Sequence, residues 1–223
     1  MKKSLLLAGL FLGSLAMASE NSSAMTDGAT SMADEQTSTS VYIAVGGGKG
    51  KETMKGSVST YGYEFYNGSF SDDGTLFSIN GGVLIDNTHR VNLEYSRYNT
   101  DSDVSMYSIG LAYDYRIDIQ NLPTFKPFIG VSYMYITIKE DLPNVPGIVW
   151  DTASATLNTS AIAARVGADF DITKNFYVSV LFDISLYTSG STTVGMTYQG
   201  YHYEEEDELD KFSRGQLLLG YRF

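Results

Sequence analysis

Ser213-Arg-Gly-Gln-Leu-Leu-Leu-Gly-Tyr-Arg-Phe223 decides the reading of this chain. Counting back in twos from its end gives Phe223, Tyr221, Leu219, Leu217 and Gly215, with Arg222, Gly220, Leu218, Gln216 and Arg214 between them. A strand sends successive side chains to opposite faces, so one face is aliphatic and aromatic while the other is mostly polar or small. The last strand of a soluble sandwich usually frays into a polar tail. An apolar face that runs to a terminal aromatic is instead the pattern of a membrane-barrel strand, where lipid-facing residues alternate with lumen-facing ones and an aromatic sits at the interface.

The same alternation recurs upstream and predicts eight strands: Ser40–Gly47, Thr75–Ile85, Arg90–Tyr98, Val104–Ile117, Pro127–Ile138, Ser160–Asp171, Phe176–Thr188 and the closing stretch. Most are long enough to span a bilayer when tilted, which takes about 9–11 residues. Three connections, at 86–89, 118–126 and 173–175, are short; 48–74, 139–159 and 189–212 are long. Short turns on one side and long loops on the other are the asymmetry of a transmembrane barrel. The middle of 48–74 has the composition to extend its flanking strands beyond the membrane. The Gly46-Gly-Gly48 run precedes no helix, so it is not a phosphate cradle and reads as a flexible strand exit.

The outward residues assigned to these strands, such as Val41, Ile79, Leu93, Leu111, Val131, Val166 and Phe182, include no Asp, Glu, Lys or Arg. The opposite face carries Arg90, Glu94, Asp114, Arg116, Arg165, Asp169, Asp183, Arg214 and Arg222 among Gly, Ala and Ser. A Lys or Arg at the lipid midplane costs roughly 2–4 kcal/mol, so this segregation is the imprint expected of lipid. A soluble lipocalin-like barrel would turn its polar face to water and dress it in Lys, Thr and Glu; here that face has almost no Lys. Small residues with charges suit the narrow interior of an eight-stranded barrel. Aromatics fall into two bands, Tyr113, Tyr115, Phe170, Phe176, Tyr221 and Phe223 at the periplasmic rim and Phe77, Tyr95, Tyr107 and Tyr135 at the outer one, as interfacial girdles do.

The beginning of the chain agrees. Met1-Lys-Lys3, the apolar stretch Leu5 to Leu15 and Ala16-Met-Ala18 read as a cleaved signal peptide over 1–18. Residues 19–39 read as a disordered periplasmic leader and 40–223 as one barrel domain. With no cysteine among 223 residues, disulfides and thiolate metal sites are excluded. Loss of Lys2 and Lys3 with the signal takes the net charge from −11 to −13, which argues against nucleic acid as a partner.

On these grounds the chain resembles the small outer-membrane β-barrels of the OmpA/OmpX type. The likeness covers 40–223 and rests on architecture, export signal and closing strand. The fold class it implies is an all-β, eight-stranded, antiparallel, up-and-down transmembrane β-barrel in the outer membrane of a Gram-negative bacterium. In that family the terminal aromatic strand, here Leu217, Leu219, Tyr221 and Phe223, resembles the signal read by the barrel-assembly machinery. The partners implied are that machinery, outer-membrane lipid and lipopolysaccharide, and a host or surface ligand at the loops. The roles the resemblance implies are envelope integrity, adhesion, serum resistance or weak pore activity; a non-enzymatic envelope or adhesion protein without a cofactor is the expectation.

Two other functions remain open at this point. Arg90, Glu94, Asp114, Arg116, Arg165, Asp169, Asp183 and Arg222 are expected either to fill the lumen as a salt-bridge network or to line a narrow ion path; buried charges persist only when paired, which favours the first. A lipid-modifying or proteolytic barrel enzyme would need a base, and the chain has two histidines. His89 reads as a solvated turn residue and His202 as a solvated loop residue near acids. The acidic run Glu204-Glu-Glu-Asp207 to Asp210 has oxygens for divalent cations but not the spacing of a calcium loop, and reads as a charged loop. No catalytic or metal-binding residue is assigned.

Overall fold

A computed structural model of the chain describes residues 38–100 and 104–223. The predicted signal peptide, the predicted leader up to residue 37 and the middle of the turn at 99–103 lie outside the described residues. No helix among the described residues is long and apolar enough to cross a membrane. The protein crosses with strands.

The described residues form ten strands: β1 (Thr39–Thr60), β2 (Tyr63–Ile85), β3 (His89–Thr100), β4 (Val104–Arg116), β5 (Phe125–Asp141), β6 (Ile148–Trp150), β7 (Ser154–Asp171), β8 (Phe176–Ser189), β9 (Ser191–Tyr198) and β10 (Tyr201–Arg222). Eight of them form an antiparallel ring in the order β1-β2-β3-β4-β5-β7-β8-β10, closed by β10 pairing with β1. All backbone groups in the ring can then be paired without an open edge, the condition that lipid imposes. Thr39, predicted to lie in the leader, is the first residue of β1 and pairs with Ile85, and the Ser38 amide donates to the Asp86 carboxylate at 3.0 Å.

The outward row of β4 runs from Tyr115 to Tyr107 through Tyr113, Leu111 and Ile109, all exposed. Those nine residues, at 3.3 Å each and a tilt of about 40°, rise roughly 23 Å, close to the apolar band of such barrels. The periplasmic girdle contains two groups of touching rings: Phe176 against Tyr221 and Tyr221 against Phe223, both with ring centroids 4.9 Å apart, and Phe125 against Phe170 at 5.0 Å. At the outer rim Phe77, Arg97 and Tyr107 share one row. Arg97 is therefore a cation on the outward face that the alternation had not assigned. It sits at the interface, where a charge costs only about 0–1 kcal/mol.

Two predicted features change. The Gly46-Gly-Gly48 run is not a strand exit; it lies inside β1, opposite Leu218, Leu217 and Gln216 at the closing seam. A Cβ on Gly46 or Gly48 would stand 2.0 or 1.9 Å from the carbonyl oxygen of Leu217 or Gly215, so the seam closes because these positions lack side chains. The long loops, too, are mostly sheet. The segment 48–74 is a hairpin that turns at Tyr61 and Gly62 (φ 50° and 79°), and 189–212 is the β9–β10 hairpin turning at Gln199 and Gly200 (φ 51° and 83°). Both turns use the left-handed pairs that two-residue hairpin loops require. Residues 139–159 hold the end of β5, the short β6 paired to β9, and the start of β7.

Candidate functional site

Inside the ring, alternation aims small residues and charges at one another. Glu94 of β3 meets Arg165 of β7 at 2.8 Å and also pairs with Arg214 of β10; Asp183 of β8 meets the same two arginines at 2.7 Å each. These four side chains form a closed square across the barrel. Arg214, absent from the predicted network though recognised on the polar face, is one of its corners. Ser96 and Gln216 donate to Glu94 at 2.9 and 3.2 Å, and Ser78 donates to Gln216 at 2.5 Å.

A second group lies nearer the periplasm. Arg90 bonds Asp114 at 2.8 Å and Asp169 at 3.0 Å, Arg116 pairs with Asp169 at 3.0 Å, and Arg222 with Asp171 at 2.7 Å. Asn92 ties the two groups together, donating to Asp114 at 3.2 Å and accepting from Arg165 at 3.3 Å. Five arginines thus face five carboxylates, Asp171 being the one that pattern reading did not single out. The layer is electrically balanced, which is how buried charges are tolerated.

Apolar groups interleave with the charges on the periplasmic side and cap them on the outer side. Towards the periplasm Tyr42, Phe128, Tyr177, Leu181 and Leu218 pack together, with the Arg90 guanidinium 4.3 Å over Phe128 and that of Arg222 4.4 Å over Tyr177. On the outer side Met54, Leu76, Tyr98, Met106, Met134, Ile136, Ile138, Leu157, Leu209 and Phe212 form a buried plug. The cavities on either side, one beside Tyr42, Asn80 and Arg90 and one beside Glu52 and Phe212, have about 10 Å³ each, room for roughly one water.

Beyond the Lys49–Thr75 pair the sheet leaves the apolar band and continues as an extracellular extension of β1, β2, β9 and β10, with β6 at its edge. The acidic run lies here, on strand rather than loop, and alternation splits it. Glu204, Glu206 and Glu208 are exposed on one face, while Glu205 and Asp207 are half-buried on the other. Burial, then the neighbouring Glu205 and Glu140, pushes the Asp207 carboxyl up to about 6; burial and Glu140 likewise raise Glu205. Burial, then the facing Asp72, pushes Glu52 up to about 7. Lys55 reaches Asp210 at 2.6 Å, and this hydrogen bond raises the lysine and lowers the acid. Among the described residues no group of three or more His, Asp or Glu is placed to hold a metal ion.

The histidines separate. His89 is the first residue of β3 rather than a turn residue, its Nδ1 2.7 Å from the Tyr113 hydroxyl and its ring packed on Tyr113 and Tyr115. It belongs to the periplasmic girdle. His202 is exposed on β10, beside Gly195 and the Asp151 carboxylate.

A family model described as "Outer membrane protein beta-barrel domain" matches residues 4–223. The chain belongs to this family. Its members' location, the outer membrane, agrees with the apolar band, the girdles and the closed ring. Among solved structures, the outer membrane protein OprG from Pseudomonas aeruginosa is 14% identical with a TM-score of 0.53, over 82% of this chain and 95% of that one. Neisserial surface protein A (NspA) is 18% identical with a TM-score of 0.47, over 78% and 95%. Ail, the attachment invasion locus protein of Yersinia pestis, is 14% identical with a TM-score of 0.39, over 82% and 98%. At this identity OprG supports the barrel fold and nothing finer. No curated protein matches the chain.

Proposed function

We propose that this outer-membrane barrel is a non-conducting, non-enzymatic envelope protein that acts through the sheet it raises above the outer leaflet, as a surface interaction or adhesion protein. One observation carries the reading: the strands do not stop at the membrane. β1, β2 and β10 continue as paired backbone to tips where Tyr61 is 81% and Tyr63 is 79% exposed, beside exposed Tyr66, Tyr198 and Tyr201. Large rigid aromatics on an ordered platform bind with little loss of side-chain freedom. The filled lumen supports the absence of conduction.

Outer-leaflet lipid is the nearest partner. Lys49, Lys51, Arg97 and Lys211 are exposed just beyond the apolar band, at the level where lipopolysaccharide phosphates would meet them. The alternating face of Leu217, Leu219, Tyr221 and Phe223, on the strand that closes the ring, supports a role as the signal for the assembly machinery.

The test is adherence of cells displaying the chain to immobilised extracellular-matrix protein, compared with a variant carrying Tyr61→Ser, Tyr63→Ser, Tyr66→Ser and Tyr201→Ser. Loss of adherence, with unchanged amounts of folded barrel in the outer membrane, is expected. Equal adherence by the variant would overturn the proposal.

A further inference from the structure

One face of the extension continues the apolar plug outward and carries two acids in its midst. Residues directly opposite one another on paired strands share a face. Above the row of Phe70, Met54 and Leu209 lies the row Gly68–Gly56–Asp207–Thr192, and above that the row Tyr66–Val58–Glu205–Val194. Met196 and Trp150 follow one row further out. Phe70 and Tyr66 are exposed on this face, a larger apolar surface than a chain in water leaves without use. Glu204, Glu206 and Glu208 lie on the other face.

Gly56 and Gly68, paired across β1 and β2, open a trough in this surface. A Cβ on Gly56 would meet the Asp207 carboxylate, and one on Gly68 would meet the hydroxyl end of the Tyr66 ring. A carboxylate therefore lies over one end of the trough and an aromatic ring over the other. Among the described residues no Lys, Arg or His pairs with Asp207, with Glu205 or with Glu140, the acid at the end of β5 whose charge both feel. Lys55 projects from the opposite face, where Asp210 and Glu208 hold it. Lys139 precedes Glu140 and so alternates to the other side of β5. The three acids are not placed to share a metal ion. Their missing counter-charge is of a more extended kind.

We propose that this face of the extension docks a cationic polypeptide segment, with a Lys or Arg side chain of the partner lying in the Gly56–Gly68 trough between Asp207 and Tyr66. The inference rests on the reading of the extension as an interaction surface and names the chemistry of its partner. A guanidinium there gains a charge-assisted pair at one end and a cation–π contact at the other, while its methylene stem covers Val58. Phe70 and Met196 receive apolar neighbours from the same segment. A second copy of this chain would set acid against acid, and a nucleic acid would do the same with its phosphates.

The experiment is fluorescence anisotropy of labelled hexa-arginine with the refolded full chain in zwitterionic micelles, at about 150 mM NaCl so that distant charges are screened. Labelled hexa-glutamate is the control. Saturable binding of the arginine peptide alone is expected. The double variant Glu205→Gln, Asp207→Asn should weaken it about tenfold or more, and Tyr66→Leu should weaken it from the other end of the trough. Glu204→Gln with Glu206→Gln, which removes the same charge from the opposite face of the same strand, should leave it unchanged. Absence of saturable binding would overturn the proposal. Equal losses in the two double variants would also overturn it, because only the net charge of the strand would then matter. The tyrosine variant of the adherence test separates the two readings. Adherence that depends on those tyrosines, with no binding of the arginine peptide, would overturn this inference alone. Peptide binding with adherence indifferent to the tyrosines would support it and overturn the adhesion reading.

Discussion

The barrel within the membrane and the sheet above it are made from the same strands, yet they handle charge in opposite ways. Below the Lys49–Thr75 row, the charged groups that point into the lumen find partners across it, as Glu94 does in Arg165 and Arg214, and the outward Arg97 stays at the interface row of Phe77 and Tyr107. Above it, acids outnumber bases, the pairs that form are exposed (Lys55 with Asp210), and buried acids face other acids. Lipid enforces the first arrangement, because an unmatched charge there has no water to turn to. Water and solutes relax the constraint in the second. Stability belongs to the lower region, and the freedom to recognise a partner belongs to the upper.

That contrast breaks most completely at the seam. Gly48→Val places a side chain against the Gly215 carbonyl with no room to move, and the barrel is expected not to close; outer-membrane fractions run on denaturing gels with and without boiling should then show no mobility shift. Next in size is Asp183→Ala, which takes one carboxylate of the square from Arg165 and Arg214 and leaves both on Glu94 alone. Removing one partner of a buried pair costs about 3–5 kcal/mol, to be read from urea unfolding in lipid. Phe212→Ala, which takes a ring from the outer plug and from its edge-on contact with Tyr98 at 5.7 Å, is expected to cost about 3 kcal/mol or more.

A smaller effect tests the upper region. The Glu52 carboxyl binds its proton more tightly folded, with a pKa of about 7 against an ordinary 4.5. As pH rises through that window the unfolded chain releases its proton first, so folding stability falls between about 4.5 and 7, by on the order of 3 kcal/mol. Denaturation against pH should show this decline, and Glu52→Gln should flatten it. Smallest of all is Lys55→Ala. Its exposed ion pairs with Asp210 and Glu208 are of the kind that contribute little, and no measurable change in unfolding is expected.

Alternation made the membrane band legible: the outward rows, the girdles, the eight-strand count and the polar inner face all follow from a period of two. It failed where the period breaks. Between Thr53 and Met54 the pairing of β1 with β10 skips Asp210, so even-numbered residues such as Phe212 and Arg214 point inward below the bulge and odd-numbered Leu209, Asp207 and Glu205 point inward above it. A composition reading cannot place such a bulge, and the acidic run therefore looked like one loop cluster. Polar, Gly-rich stretches also hid the outer sheet, since its strands are stabilised by neighbours such as β1 against β10, more than 140 residues apart. The charge square is equally non-local: nothing near Arg214 in sequence announces that Glu94 lies opposite. The glycines of the seam could have been read as a close approach of two strands, and their meaning as such needed the partner strand to be known.

The most direct test of a closed lumen is single-channel recording of the refolded chain in planar bilayers, alongside Phe212→Ala. A balanced charge layer interleaved with aromatic rings and capped by an apolar plug on the outer side predicts a silent wild-type chain under conditions where the protein is shown to be inserted and heat-modifiable. Discrete, reproducible conductance steps from the wild-type chain would contradict it and make the same arginines and carboxylates the walls of an ion path.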